Sequence, residues 1–368
     1  MASTTTNYGW VVPTSSDLVK NGATAISTVG QAVDTFLFRP FTKNGVLNGA
    51  MDIWQRGTSV TPTTNAGAYT ADRWYVTRGS NTSATVSRQV TGDTTNLPFI
   101  QYCSRVQRTA ASTTTTDVAF GQMMESVSSI PFAGQTVVLS GYIRKGADFS
   151  AASNVLTMQL VTGTGTDQKQ MDGGYTGSAV SVTGNATLTA TWQRFSITGT
   201  IPAATTEITP KFIYTPTGTA GTNDYFEVTG VQLENSNQAS PFTRASSTGI
   251  AGELAACQRY YWRQTGPNAY SAFSTAGASA STVQAVGIFM NPVPLRVVAT
   301  SVDFSNIELR TASSSGYPIT GFTLDTTSSS NIISYAYGTI TSGPTANTFG
   351  RINGSNNAAA YVGFSAEL

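Results

Sequence analysis

From Val46 to about Arg244 the chain alternates repeatedly between short runs of period two and clusters of Gly, Asn, Thr and Pro, and nothing between them carries the 3.6-residue period of a helix. This pattern is incompatible with helical bundles and with doubly wound α/β folds, where helices must separate the strands. The clearest strand runs are 72–78, 99–108, 119–127, 136–144, 155–161, 192–198, 207–214 and 225–234. Turn clusters at 61–67, 92–98, 163–167 and 215–223 separate them. About ten short strands in about 200 residues predict an all-β fold, an antiparallel jelly-roll sandwich over 41–245.

The flanking segments read differently. Over 14–38, Ser15, Ser16 and Asp17 offer N-caps, and Val19, Gly22, Ile26, Val29, Val33 and Phe36 recur at spacings of three and four, which is an a/d seam. The seam is under three heptads long and contains a glycine, so the helix needs an outside surface to bury its stripe. That surface is either the following domain or, as an attachment segment, copies of the same helix or a larger assembly. Pro40 marks a linker and a boundary near residue 41. Residues 235–252, rich in Ser, Asn, Pro and Gly, connect to a second unit over 253–368. There one helical turn at 253–261 leads into strand runs at 283–290, 299–309, 332–337 and 359–364, predicting a smaller β-sandwich domain. No short internal repeat points to a β-helix solenoid.

Composition then narrows the chemistry. Lys plus Arg is 20 and Asp plus Glu is 19, a net charge of +1, which is no footprint for a nucleic-acid partner. The chain has no histidine, which excludes imidazole bases, Ser-His and Cys-His nucleophile pairs and zinc sites with His ligands. There is no phosphate loop, dinucleotide fingerprint or nucleophile elbow, and no acid spacing supports glycoside hydrolysis, so no enzyme and no cofactor are expected. The two cysteines, Cys103 and Cys257, read as reduced and buried. The polar opening, with Lys20 as its first basic residue, lacks the plan of a secretory leader, and no apolar run is long enough to span a bilayer. A protein made and used without export or membrane insertion is expected.

Three stretches carry a resemblance. The first is Asn7-Tyr8-Gly9-Trp10 with Pro13 and a helix ending Gln31-Ala32-Val33-Asp34. The second is Asn44-Gly45-Val46-Leu47-Asn48-Gly49-Ala50-Met51-Asp52-Ile53-Trp54-Gln55-Arg56-Gly57, followed by Tyr69-Thr70-Ala71-Asp72-Arg73-Trp74. The third is Val231-Gln232-Leu233-Glu234, then Pro241-Phe242 and Glu253-Leu254-Ala255-Ala256-Cys257-Gln258-Arg259-Tyr260-Tyr261. Together they resemble bacteriophage virion proteins of the tail-fibre and head-fibre kind, with a jelly-roll like that of carbohydrate-binding modules. The resemblance implies a homotrimer in the virion, held to other virion proteins through residues 1–40. The heptad positions Val19, Ile26, Val29, Val33 and Phe36 and the weakly charged surface are compatible with self-association.

Sugar recognition uses aromatic faces against the C–H face of a pyranose, with amide, carboxylate or Arg groups on the hydroxyls. Trp54, Tyr69, Trp192 and Tyr175 are the ligand candidates. Tyr175, in a glycine-flanked loop, is expected to be exposed, whereas the alternation around Trp192 favours core or edge packing and that around Trp74 places it in the core. Asp72 and Arg73 are expected to hold a turn. Asp224 and Glu234 are conceivable cation ligands, but no Asp-rich loop accompanies them, and no metal site is assigned. Two functions follow: a fibre that binds host surface glycan, or a capsid or tail decoration protein with a purely structural role.

Overall fold

The computed structural model describes residues 44–63, 67–79, 84–311, 315–341 and 343–368, together with 3, 4, 11, 12, 22, 24, 26–31 and 33. The chain forms two compact units, one of residues 1–52 and 58–249 and the other of 53–57 and 250–368. No helix among the described residues is long and apolar enough to cross a membrane.

In the first unit Ser3–Thr4 (β1) pairs antiparallel with Val11–Val12 (β2). The described positions between 22 and 33 are helical, with Ile26 68% exposed and Val29 and Val33 half-buried. Val19 and Phe36 lie outside the described residues. Twelve strands build the main body: Ser59–Val60 (β3), Ala68–Tyr69 (β4), Tyr75–Thr77 (β5), Ala84–Val90 (β6), Tyr102–Arg108 (β7), Val118–Gly121 (β8), Thr136–Lys145 (β9), Val155–Gly163 (β10), Ala179–Thr187 (β11), Gln193–Thr200 (β12), Glu207–Tyr214 (β13) and Tyr225–Glu234 (β14). They form two six-stranded antiparallel sheets, β11-β10-β13-β8-β5-β4 and β12-β9-β14-β7-β6-β3, the jelly-roll expected from the pattern.

Alternation along strands such as β6 and β10 turns one face inward between the sheets, while β14 is buried along nearly its whole length. Trp74 is fully buried, stacks on Phe120 with centroids 4.9 Å apart and lies 6.4 Å from Phe212. Tyr214 meets Phe149 at 4.5 Å and Phe226 of the opposite sheet at 6.2 Å. Such aromatic pairs add about 0.5–1.5 kcal/mol each beyond burial. A smaller cluster of Ala50, Leu97, Ile100, Cys103 and Trp192 covers part of the other side of β7. Both cysteines are buried and neither forms a disulfide, as expected.

The family-like stretch from Asn44 to Asp52 is structural. Asn44 Nδ2 donates to the carbonyls of Val231 and Thr243 at 3.0 and 2.9 Å, while its Oδ1 accepts from the amides of Val46 and Leu233 at 2.9 and 3.2 Å. Gly49 lies so close to β14 that a Cβ there would be 2.2 Å from the Val231 carbonyl oxygen. Asp52 accepts from Arg244 Nη2 at 2.7 Å. Asp72 and Arg73 are buried at a turn closed by Trp74 N donating to Ala71 O at 2.8 Å, with Arg73 at φ 71° and its Nη2 donating to Met123 O at 2.7 Å.

The second unit opens with a helix over Gly249–Gln258, longer than the single turn expected, and Tyr261–Thr265 (β15). Ala276–Ser281 (β16), Gln284–Met290 (β17), Ser301–Ser305 (β18), Ile307–Thr311 (β19), Gly316–Leu324 (β20), Ile333–Ile340 (β21), Phe349–Gly354 (β22) and Tyr361–Ser365 (β23) follow. One layer is a three-stranded sheet, β15-β23-β18; the other closes on itself as a barrel, β16-β17-β21-β20-β19-β22. Both layers share one core, in which Phe289 lies 5.0 Å from Phe364 and Phe364 stacks on Trp262 at 5.2 Å. The expected smaller sandwich is therefore two β layers of which one is a closed barrel. The expected run 299–309 is two strands, split at Asn306 with φ 49°.

Candidate functional site

The outer face of the β11-β10-β13-β8-β5-β4 sheet is where partly exposed polar groups converge beside the half-buried Tyr69 ring. Phe120, Phe212 and Tyr214 point into the core, so their neighbours Ala119, Gly121, Lys211 and Ile213 point out. The register then lays one row across six strands: Tyr69, Tyr75, Gly121, Lys211, Gln159 and Thr183. A parallel row holds Thr77, Ala119, Ile213, Thr157 and Asn185.

The loop between β10 and β11 folds over one end of these rows. Its Lys169 and Asp172 pair at 2.6 Å, both partly exposed. Lys169 Nζ donates to the Tyr75 hydroxyl at 3.0 Å and sits 4.5 Å from the Tyr75 ring centroid and 5.9 Å from that of Tyr69. The Tyr75 hydroxyl donates to Asp172, which also accepts from the Gly67 amide at 3.3 Å. Tyr69 meets Tyr75 edge to face, with centroids 4.8 Å apart at 73°. Burial, aided by Asp172, pushes the Tyr75 hydroxyl far above the usual phenol range, so it stays a donor. Burial alone would raise Asp172, but hydrogen bonds from Lys169 and Tyr75 outweigh it and hold the carboxyl below its usual value. Burial lowers Lys211, opposed by the nearby Asp117. The result is an ammonium, a carboxylate, an amide and several hydroxyls around the half-buried Tyr69 ring, with Tyr75, 2% exposed, packed beneath them. Such a set can bond a polyhydroxylated ligand while an aromatic face contacts its C–H groups.

The structure separates the four sequence candidates. Tyr69 lies in this site and is half-buried. Tyr175 is in the same loop, but its expected exposure is corrected: it is 7% exposed, and its hydroxyl shares a hydrogen bond of 2.7 Å with Thr209 Oγ1. Gly163 makes that burial possible, because a Cβ there would stand 2.5 Å from the Tyr175 Cβ. Trp192 is buried on the other sheet, its Nε1 donating to Thr91 O at 3.0 Å under the Arg144 guanidinium. Trp54 is buried in the second unit. Asp224 and Glu234, considered as cation ligands, have other duties: Asp224 accepts from Arg108 and Glu234 from Ser240. Among the described residues no cluster of three or more His, Cys, Asp or Glu could hold a metal ion.

Lys169, Asp172, Lys211 and Gln159 were not singled out by sequence. Lys169 and Asp172 sit 94 and 97 residues from Tyr75. Their i,i+3 charge pairing in a long loop is the one local signal that could have found them.

No family model matches the chain, and no curated protein does. Among solved structures, similarity is found to a CBM4 carbohydrate-binding module, 17% identical, covering 51% of this chain and 98% of that one with a TM-score of 0.33. The enzymatically active domain of bacteriophage CBA120 tailspike protein 4 is 12% identical, covering 52% of this chain and 21% of that one with a TM-score of 0.32. The CBM22-2 xylan-binding domain of Paenibacillus barcinonensis Xyn10C is 16% identical, covering 45% of this chain and 92% of that one with a TM-score of 0.28. At these scores the fold rests on the strand order of the chain itself.

Proposed function

We propose that this chain is a bacteriophage virion protein, a homotrimeric fibre that binds host surface glycan through the outer face of its jelly-roll. The observation that carries the reading is the Tyr69–Tyr75–Lys169–Asp172 group at the end of an open row containing Gln159, Lys211 and Thr183. Aromatic contact with flanking hydrogen-bonding groups is the chemistry of sugar recognition. The reading is of binding without turnover. Residues 1–40 supply attachment to other virion proteins, and the uncovered Ile26 is consistent with a helix that needs a partner.

The test is binding of the purified full chain, and of a chain lacking residues 1–40, to intact host cells and to extracted surface glycan. Binding retained by the shortened chain supports recognition in the β units. Release of reducing sugar would mean catalysis instead. A second reading, a decoration protein with a structural role only, is favoured by the burial of Tyr175, Trp54 and Trp192. Folded protein that binds no glycan while incorporating into particles selects it.

A further inference from the structure

The barrel of the second unit carries an outward wall that its own fold leaves uncovered. Alternation turns Ala285, Gly287 and Phe289 of β17 and Ser334, Ala336 and Gly338 of β21 inward, where they are buried. Their neighbours therefore face solvent. Register lays two outward rows across the wall. One runs Phe349, Ala278, Val286, Tyr337, Thr323; the other runs Ala276, Ile288, Tyr335. Phe349 is 70% exposed, and Met290 at the end of β17 is exposed as well. No charged side chain lies within these rows. A mostly apolar, partly exposed face of this kind marks an interaction surface.

The borders indicate the partner. Arg351, two residues beyond Phe349 on β22 and exposed, stands at one side of the wall. Asp325, whose amide donates to Tyr335 O at 2.8 Å, stands at the other. Asp325 Oδ1 accepts from the Thr327 and Ser328 amides at 2.9 and 3.2 Å. Neither residue has an ion pair among the described residues, although Arg310, opposite Arg351 on β19, is paired with Glu308 at 2.5 Å. The Asp325 carboxylate is also held by hydrogen bonds from the Ser328 and Tyr337 side chains, and a face with a cation on one border and this anion on the other, neither in an ion pair among the described residues, complements itself. When two such walls are brought together, Arg351 of one copy can meet Asp325 of the next. The protruding Phe349 ring beside the small Ala278 and Ala276 supplies a knob and a hollow on the same face. A glycan would want amide, carboxylate or Arg groups within the wall, and the interior rows hold none.

We infer that this wall is a self-association interface, and that its occupant is a second copy of the chain. The inference rests on the self-assembly part of the proposed function and does not need the glycan.

The experiment is sedimentation velocity on the purified full chain, with Val286→Lys and Phe349→Ser as separate variants. Both positions face outward, and an unfolding midpoint close to wild type shows that the fold is kept. The expected result is an oligomeric wild type, with association weakened by about tenfold or more in Val286→Lys, because a lysine there meets an apolar partner face. Arg351→Glu should also weaken association, and more so at low salt. A monomeric wild type, or an oligomer that both folded wall variants leave unchanged, overturns the inference. Oligomers lost only in Ile26→Asp overturn it too, since assembly would then run through the N-terminal helix. Glycan binding is read on the same samples. Its absence beside Val286-dependent association supports the interface while refuting the glycan reading, so the two fail separately.

Discussion

Arg108 donates from Nη1 to the Asp224 carboxylate at 2.7 Å, and both side chains are fully buried between the two sheets of the jelly-roll. Oxygen atoms line the two terminal nitrogens: Nη1 also reaches Ser150 Oγ at 3.0 Å, and Nη2 reaches the carbonyls of Ser112, Thr114 and Gly218 at 3.1, 2.6 and 3.0 Å, while the buried Nε has no hydrogen-bond partner among the described residues. Tyr214 donates to the other Asp224 oxygen, and burial and that carboxylate push its hydroxyl up to about 12. The guanidinium thus ties 112–114, 150 and 218 to β7 and β14.

Removing one partner leaves a buried charge and several carbonyls without their donors. Arg108→Ala is expected to destabilise the protein by about 3–5 kcal/mol. Asp224→Asn should cost less, because an amide oxygen still accepts from the guanidinium. Urea unfolding of the three proteins checks this. Equal midpoints for wild type and Arg108→Ala would refute a keystone role for the pair.

Glu207 gives a pH prediction. It is buried, accepts from the Gln168 amide, and burial raises its carboxyl above the ordinary value of 4.5, with Asp167 adding to the rise. The folded state therefore holds this proton more tightly than the unfolded chain does. Stability from this group is present at and below pH 4.5 and declines as pH rises from there through the folded value. Glu207→Gln should flatten that decline. Thermal unfolding from pH 4 to 7 would show it as a smaller drop in midpoint for the variant than for wild type.

The fold was legible where burial and alternation coincide. Trp74 could be placed in the core because its strand alternates cleanly, and the jelly-roll followed from the number and spacing of such strands. Strands β6, β11 and β16 carried less signal: their runs of Ser, Thr, Ala and Gly bury little apolar surface, so the period is weak. Closure of the barrel depends on β22 meeting β16, a pairing between residues 277–278 and 349–350 that no local pattern encodes. The site was half legible. Tyr69 was found by residue type, but Lys169 and Asp172 reach it through a loop whose path is set by tertiary packing. Tyr175 was misread because a glycine-flanked loop looks open, while Gly163 in fact leaves room for its ring.

Arg56 illustrates how a family-like motif can serve stability. Within the second unit its guanidinium lies 3.5 Å from the Tyr261 ring centroid and pairs with Glu367 at 3.3 Å, while Gln55 Nε2 donates to Tyr261 O at 2.7 Å. These contacts hold 53–57 against β15. Arg56→Ala should lower stability by about 1–2 kcal/mol, the range of a partly desolvated cation–π contact with its ion pair. Arg56→Lys should recover only part, since an ammonium cannot stack as a plane. Chemical unfolding of these two variants is the measurement, and a silent Arg56→Ala would count against the staple.

The glycan face yields the last prediction. Tyr69 is half-buried on the sheet rim, so Tyr69→Ala should leave the fold intact while weakening glycan binding by about tenfold, the loss of one aromatic contact of roughly 1–1.5 kcal/mol. Lys169→Met should weaken binding as well, by freeing Asp172 and the Tyr75 hydroxyl from their shared partner. Asp172 is held below its ordinary value of 3.8, so its contribution is present above that pH and lost as pH falls through the folded value. Binding by wild type should therefore be steady from neutral pH down to about pH 4 and fall below it, while Asp172→Asn removes that acid limb. Calorimetric titration with extracted host glycan measures all of these. A Tyr69→Ala protein that binds as wild type does would move recognition off this face.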